Sequence, residues 1–186
     1  MKIIKTPLKE ALIIEPVVFK DDRGFFMELY HQDRYKKQLG IDIDFVQDNF
    51  SYSKKGTLRG LHYQFPNSQD KLVQVLNGEI YDVAVDIRYG SPTFGRWSGY
   101  ILSDQNKRQL YIPQGFAHGF CVLSETAYVF YKCTDLYSPD NEGGVLWSDP
   151  DLNIEWPLKD PILSPKDSLY SCLKDIPPGR LFPYEG

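Results

Sequence analysis

The stretch of residues 71–88, KLVQVLNGEIYDVAVDIR, constrains the fold more than any other part of the sequence. Asn77-Gly78 separates two runs rich in β-branched residues, and this dipeptide in that position is typical of a two-residue type I′ turn. Side chains alternate between the two faces of a strand, so Lys71 shares a face with Val73 and Val75. An interior lysine is unfavourable unless its ammonium meets an anion or a ligand. The stretch therefore predicts an antiparallel hairpin that carries a lysine in need of a partner.

Further short strands are predicted along most of the chain. The strand candidates outside this hairpin cover residues 11–19, 45–52, 57–64, 93–102, 108–112 and 127–133. Pro16 interrupts the first of them, which suits an edge or crossing strand. A composition of 15% aromatic residues with 13 prolines and 14 glycines also favours short strands and many turns over long helices.

Helical segments are expected to be few and short. One is predicted at residues 33–39, ended by Gly40, and another helix start is predicted at Ser164 and Pro165. From Ser138 onward, we expect irregular structure that wraps around the strands. The pattern as a whole predicts an all-β fold, a sandwich or small jelly-roll barrel with a few short peripheral helices.

Length, charge and cysteine content limit what kind of protein this chain can be. A chain of 186 residues can form one domain with a sizeable core, and we expect a single domain over residues 1–186. A net charge of −4 argues against nucleic acid as a general partner. Cys121, Cys133 and Cys172 form no close-spaced framework, which is typical of reduced thiols in a cytoplasmic protein. The N-terminus does not resemble a signal peptide, and no apolar run could span a membrane.

The stretch TLRGLHYQ, residues 57–64, concentrates groups that can carry chemistry. His62 is a candidate general base because the charge of a histidine changes near neutral pH. A lone strand histidine is more often a hydrogen-bonded core residue, and this alternative stays open on the stretch alone. Arg59 and His62 are three residues apart, so strict alternation sends them to opposite faces. Either Gly60 makes a bulge or Arg59 lies at the mouth of a cavity, and both readings remain open.

A second motif, PQGFAHGF at residues 113–120, follows further along the chain and contains His118. The two motifs resemble the paired histidine motifs of the cupin superfamily, and the detailed match is to the dTDP-4-dehydrorhamnose 3,5-epimerases. The strings DDRGFFMELY, VQDNFSYSKKGTLRGLHYQ, DKLVQVLNGEIYDVAVDIR, GSPTFGRW, YKCTDLYSP and LSPKD occur in order and at the family's spacing. The resemblance covers nearly the whole chain and implies a cupin-type jelly-roll barrel.

The resemblance also implies a reaction. It is epimerisation at C3 and C5 of dTDP-4-dehydro-6-deoxy-D-glucose, through proton removal and an enolate, to give dTDP-4-dehydro-L-rhamnose. His62 is implied as the base, Tyr131 as the acid and Lys71 as the group that stabilises the enolate oxygen. Asp167 would hydrogen-bond His62 and fix its tautomer. From the residues alone, a core role for Tyr131 and a capping role for Asp167 are favoured over catalysis.

A larger set of residues stands where the family contacts nucleotide, diphosphate or sugar. These substrate-binding candidates are Arg23, Phe25, Glu28, Gln47, Asp48, Asn49, Arg59, His118, Tyr137, Glu142 and Lys166. The arginines suit a diphosphate because a guanidinium can bind two oxygens at once. No metal or other cofactor is expected. Metal-binding cupins usually carry His-x-His in the first motif, whereas Tyr63 and Gln64 follow the histidine here.

The resemblance further implies a homodimer in which N-terminal strands are exchanged, so that Arg23 and Glu28 could serve the neighbouring subunit's site. The expected partners are thus a dTDP-4-keto-6-deoxy sugar and a second copy of the chain, with no membrane. Three alternatives remain: an epimerase of C3 or C5 only, a metal-dependent cupin, and a non-catalytic carbohydrate-binding module.

Overall fold

The computed structural model describes residues 1–185 and contains thirteen strands and one α-helix. The elements are β1 (Lys2–Lys5), β2 (Leu12–Glu15), β3 (Val18–Asp21), β4 (Gly24–Met27), α1 (Gln32–Leu39), β5 (Gln47–Lys54), β6 (Leu58–Gln64), β7 (Lys71–Asn77), β8 (Glu79–Asp86), β9 (Trp97–Ser103), β10 (Gln109–Ile112), β11 (Phe116–Val122), β12 (Thr126–Cys133) and β13 (Glu142–Gly144). In addition there are four short 3-10 turns.

The strands form two main antiparallel sheets and a small hairpin. One sheet has the order β1-β2-β10-β7-β12-β5, the other has the order β13-β6-β11-β8-β9, and β3 pairs only with β4. Buried side chains from both sheets, among them Val73, Ile80 and Val129, form one core between them. The predicted all-β jelly-roll barrel is confirmed, and its sheet order brings strands that are distant in the sequence side by side.

The predicted β7–β8 hairpin is wrong, although the turn and both strands exist. β7 pairs with β10 and β12 in one sheet, whereas β8 pairs with β11 and β9 in the other. The chain crosses from one sheet to the other at Gly78, whose φ of +86° favours glycine. A Cβ at this position would lie 2.1 Å from the carbonyl oxygen of Thr126. The Asn-Gly dipeptide therefore marks a corner between sheets, because each strand finds its partners elsewhere in the chain.

Other local predictions agree with the structure more closely. Pro16 separates β2 from β3, and α1 ends at Gly40, whose φ is +71°. The exposed His31 caps α1 by accepting a hydrogen bond from the backbone N–H of Arg34. The helix expected at Ser164 is only a 3-10 turn over Asp167–Leu169.

The outer faces of the two sheets are covered differently. Residues after Ser138 wrap around the five-stranded sheet and bury Val145, Leu152 and Leu173 against it. Helix α1 covers part of the six-stranded sheet through Tyr35. Each such buried side chain stabilises the fold by about 1.5–3 kcal/mol relative to an exposed one. Within residues 1–185, no helix combines the length and the apolar character needed to cross a lipid bilayer.

Candidate active site

A cavity of about 170 Å³ opens between the two sheets at one end of the barrel. His62 enters it from β6 of the five-stranded sheet, whereas Lys71 of β7 and Tyr131 of β12 enter it from the six-stranded sheet. Its other lining residues are Gln47, Asn49, Tyr63, Gln64, Gln69, Cys133, Tyr137 and Glu142. The three groups predicted to act as base, cation and acid thus line one cavity, with the base and the acid on opposite sheets.

The imidazole of His62 is held by Asp167, a residue that lies far along the chain. His62 Nε2 lies 2.6 Å from Asp167 Oδ1, and the carboxylate is almost completely buried. Burial alone would raise the pKa of Asp167, but the hydrogen bond and the charge of His62 lower this pKa below its usual range. The carboxylate is therefore an anionic acceptor, so Nε2 carries the proton and Nδ1 is left free to take another.

A second histidine–aspartate pair lies beside the first. His118 is the register partner of His62 on β11, and its Nε2 lies 2.5 Å from Asp82 Oδ1. Burial lowers the pKa of His118 in spite of the opposing effect of Asp82, and the charge of Lys71 lowers it further. The other oxygen of Asp82, Oδ2, is buried and accepts no hydrogen bond from the described part of the chain. His118 is thus a neutral, fixed group next to the cavity.

The sequence reasoning missed Asp82. A signal was available, because Asp82 alternates along β8 with Ile80 and Ala84, which face the interior. An acid at an interior position requires a partner. Cys133, which the sequence marked only as a reduced thiol, also lines the cavity and is the register partner of Lys71.

Lys71 and Tyr131 are both affected by burial. Burial lowers the pKa of Lys71, and the charges of Asp82 and Glu142 only partly offset this effect. Neither carboxylate forms an ion pair with Lys71 within residues 1–185. Burial raises the pKa of Tyr131, so its phenol remains protonated at neutral pH. The site therefore offers a proton donor and an ammonium without a counterion to an incoming ligand.

Polar residues around the mouth of the cavity are tied to one another. Glu142 accepts a hydrogen bond from the hydroxyl of Tyr137 at 2.9 Å and pairs with Lys166 at 2.6 Å. Burial tends to raise the pKa of Glu142, but Lys166 and Tyr137 lower it on balance. Gln47 accepts a hydrogen bond from the backbone N–H of Tyr137 at 2.8 Å. The half-exposed ring of Tyr137 is thereby fixed at the rim.

The position of Arg59 is explained by a bulge in β6. The register between β6 and β11 shifts opposite Gly60, where φ is +123° and a Cβ would lie 2.5 Å from the Cα of Gly119. The bulge lets Arg59 and His62 open onto the same surface groove of about 610 Å³, together with Lys166. Of the two readings left open by the sequence, the structure supports the bulge.

Five predicted binding residues line neither the cavity nor the groove: one is His118, which is buried next to the cavity, and the other four lie further away. Asp48 lies between two lining residues of β5, faces the opposite way and pairs with Lys132 at 2.5 Å. Arg23 pairs with Asp21, and Glu28 pairs with Arg34, both at the surface. The ring of Phe25, in the same hairpin region as Arg23, lies 4.0 Å from the ammonium of Lys107. The roles of these residues stay predictions, as do the roles of the predicted residues that line the cavity and the groove.

The described residues also limit where a metal could bind. Within residues 1–185, no three or more histidine, cysteine, aspartate or glutamate side chains are grouped so that they could hold a metal ion. In both His62 and His118, one ring nitrogen already forms a hydrogen bond with a carboxylate.

Comparisons with known proteins agree with this geometry. Residues 5–175 match the family described as dTDP-4-dehydrorhamnose 3,5-epimerase. The dTDP-4-dehydrorhamnose 3,5-epimerase of Shigella flexneri is 57% identical over 168 residues, which cover 90% of this chain and 93% of the relative. Among solved structures, this chain resembles the crystal structure of a dTDP-6-deoxy-D-glucose-3,5-epimerase from Legionella pneumophila in complex with dTDP-4-keto-L-rhamnose. The two sequences are 55% identical, the TM-score is 0.97, and the match covers 100% of this chain and 99% of the Legionella chain.

A more distant structure belongs to a 3′-monoepimerase from Streptomyces bikiniensis in complex with dTDP-quinovose. Its sequence is 34% identical to this chain, the TM-score is 0.86, and the match covers 91% of this chain and 86% of the Streptomyces chain. These matches do not favour a metal-dependent cupin or a non-catalytic binding module. The family match extends over most of the sequence and includes both histidine motifs, so the chain belongs to the dTDP-4-dehydrorhamnose 3,5-epimerase family.

Proposed function

We propose that the protein epimerises C3 and C5 of dTDP-4-dehydro-6-deoxy-D-glucose to give dTDP-4-dehydro-L-rhamnose. One observation carries this proposal: His62, Lys71 and Tyr131 line a single cavity, with the candidate base and acid on opposite sheets. Inversion of a carbon next to a ketone requires a base on one face of the sugar and a proton donor on the other. The cavity offers both.

The reaction begins with proton removal. Nδ1 of His62 takes a proton from the carbon next to the ketone, while Asp167 stabilises the imidazolium through Nε2–H. The electron pair left on carbon delocalises onto the ketone oxygen, which becomes an enolate. Lys71 lines the cavity and forms no ion pair within residues 1–185, and its ammonium stabilises that oxygen. Tyr131 then delivers a proton to the carbon from the opposite face, which inverts the centre.

The nucleotide end of the substrate fits the groove next to the cavity. Arg59 and Lys166 place two positive charges there, and His62 lines both the groove and the cavity. A diphosphate is well matched to a guanidinium and an ammonium. The sugar would then lie in the cavity and the diphosphate in the groove, with Tyr137 and Glu142 at the rim.

Deuterium exchange tests this function. The protein is incubated with dTDP-4-keto-6-deoxyglucose in D₂O, and the ring positions that take up deuterium are counted by NMR. We expect exchange at both C3 and C5, and His62→Asn serves as the inactive control. Absence of exchange in the wild-type protein would contradict the proposal. Exchange at one carbon only would instead indicate a single-centre epimerase, the activity of the more distant 3′-monoepimerase.

A homodimer is part of the proposal. Phe19, Phe25 and Phe26 of the β3–β4 region are 55–70% exposed, and Phe50 of β5 is 60% exposed. A surface with this many exposed large aromatic side chains is typical of a protein interface. We propose that the β3–β4 hairpin packs on a second copy and brings Arg23 to its site. The free thiols also fit a reducing compartment, and the cytoplasm is the proposed location.

A mixing experiment tests the shared site. Arg23→Ala and His62→Ala are each expected to be inactive alone. After subunit exchange, a mixed dimer contains one site with both residues intact, so about a quarter of the wild-type activity should return. A monomer by light scattering, or no recovery once mixed dimers are shown to have formed, would contradict the exchange.

A further inference from the structure

Tyr170 lies behind the imidazole of His62, on the segment that follows the 3-10 turn containing Asp167. Its ring meets that of His62 edge-on, with the centroids 5.9 Å apart and the planes at 73°. The hydroxyl of Tyr170 is buried and forms no hydrogen bond of normal geometry within residues 1–185, although the ammonium of Lys166 lies near it. Packing of the ring, rather than a bond of the hydroxyl, therefore defines how Tyr170 acts on its surroundings.

The ring of Tyr170 occupies space on β13 that is open because the residue there is a glycine. Gly144 is the register partner of His62, and a Cβ built on it would lie 2.3 Å from carbon atoms of the Tyr170 ring. The φ of Gly144 lies outside the left-handed region, so only this ring opposes a side chain there. The segment is anchored at its other end, because Leu146 N–H donates to the carbonyl of Ser171 at 2.9 Å.

One hydrogen bond does not determine the orientation of an imidazole. The bond to Asp167 holds Nε2, but the ring can still tilt about the line between the two residues, which would move Nδ1. A rigid neighbour beside the ring removes this freedom. Burial raises the pKa of Tyr170 to about 12, so the neighbour is uncharged over the pH range of an assay.

We propose that Tyr170 is a positioning residue that holds the His62 ring in the plane needed for proton abstraction, with Gly144 providing the space. Its catalytic consequence rests on the proposed function. The expected effect lies in kcat, because a misdirected base slows the chemical step without removing a contact to the substrate.

The first test compares two substitutions of the same residue. Tyr170→Phe keeps the ring, and because the hydroxyl forms no hydrogen bond of normal geometry within residues 1–185 it should retain wild-type kcat within about twofold. Tyr170→Ala removes the ring and should lower kcat about tenfold or more, with KM changed by less than about twofold. Tyr100→Ala is the matched control, since Tyr100 also has a buried hydroxyl without a partner but packs in the barrel core. It should lower stability and leave kcat unchanged.

A double-mutant cycle separates positioning from general loosening. Gly144→Ala should push the ring of Tyr170 aside and reproduce the loss of kcat. In the Tyr170→Ala background, where the space is empty, Gly144→Ala should add little. A fully additive pair, a loss expressed only in KM, or wild-type kcat in Tyr170→Ala would overturn the proposal.

An NMR measurement tests the positioning independently of activity. The chain has only 3 histidines, so their ring signals can be assigned one by one. In Tyr170→Ala, loss of the aromatic ring current alone will shift the His62 signals, so the readout is line broadening: the His62 ring signals should broaden as the ring becomes mobile, while those of His118 keep their width. His62 signals of unchanged width would overturn the proposal, whether or not the wild-type protein exchanges substrate protons. Failed exchange with broadened signals would instead overturn the proposed function alone.

Discussion

The two histidine–aspartate pairs differ in surroundings, although they are made of the same groups on paired strands. The His62 side chain is 29% exposed at the cavity, whereas that of His118 is 7% exposed. Asp167 reaches His62 from an irregular segment near the end of the chain, while Asp82 reaches His118 from the adjoining strand β8. Access to the cavity, rather than the pair itself, therefore decides which histidine can exchange protons with a ligand.

Electrostatics reinforces this difference. Burial keeps His118 from accepting a proton, and the charges of Lys71 and His62 act in the same direction. In the proposed mechanism His62 becomes an imidazolium during turnover, and its charge then makes the nearby His118 even less able to accept the proton. The proposal thus assigns the proton transfer to the open pair and a neutral wall to the buried pair.

Substitution of the two histidines is expected to give the largest effect, and it tests whether the two histidine–aspartate pairs differ in proton transfer. His62→Asn should reduce the exchange rate by about 10³–10⁴-fold, because the only group placed to remove the proton is lost. His118→Asn should reduce the rate by about 10–10²-fold, as expected for a group that shapes the wall. Single-turnover exchange in D₂O measures both. Equal losses would show that the buried histidine is also a base.

Removal of Lys71 should have the next largest effect. Lys71→Met should lower kcat about 10²–10³-fold, as the loss of an oxyanion-stabilising group does. It should also raise the pKa of His118, because the charge of Lys71 adds to the effect of burial in lowering that pKa. Lys132→Met is the control, since Lys132 pairs with Asp48 away from the cavity and should keep normal kcat. An NMR titration of His118 without any shift would contradict the electrostatic contact.

Loss of each carboxylate sharpens the comparison at a smaller scale. Asp167→Asn should lower kcat about 10²-fold, because the tautomer of His62 is no longer held and the imidazolium loses its counterion. Asp82→Asn should lower kcat less than about tenfold, since no proton passes through that pair. Steady-state kinetics of both variants measures the split. The reverse order would assign the proton transfer to the buried pair.

The smallest predicted effect concerns pH. Because burial lowers the pKa of Lys71, its positive charge is lost as the pH rises toward a value below the 10.5 of an ordinary lysine. As the pH is raised, kcat should therefore begin to decrease at a pH below that at which a free lysine loses its proton. Lys71→Arg should shift this decrease to a higher pH. A pH profile of kcat for both proteins checks this. An unmoved alkaline limb would assign that limb to another group.

Local patterns in the sequence predicted the elements better than their pairing. The Asn77-Gly78 corner shows why, since turn chemistry specifies a reversal of the chain but not the sheet that each arm joins. The bulge at Gly60 was one of two open readings, because it depends on the close approach of Gly119 from another strand. Strand pairing is non-local, and the pattern of one segment does not contain it.

The candidate site was predicted in a similarly uneven way. His62 and Lys71 stand out through residue type and alternation, whereas the pairing of His62 with Asp167, over 105 positions, came only from the family resemblance. Asp82 was missed although its place between Ile80 and Ala84 marks it as an interior acid. Arg23 lies at the surface and pairs with Asp21, so its assignment to a second subunit's site came from the family resemblance alone.

Because the candidate base and acid lie on opposite walls of the cavity, the distance between them depends on how the side chains between the two sheets pack. Val73, a buried core residue, is the register partner of Tyr131, so its volume helps to set that distance. Protein interiors are packed nearly as densely as crystals, so the loss of one methyl group there should change the distance between His62 and Tyr131. Turnover should thus change with buried substitutions at Val73, directly beside Tyr131, although these never touch the sugar, and compression of the protein should change its rate.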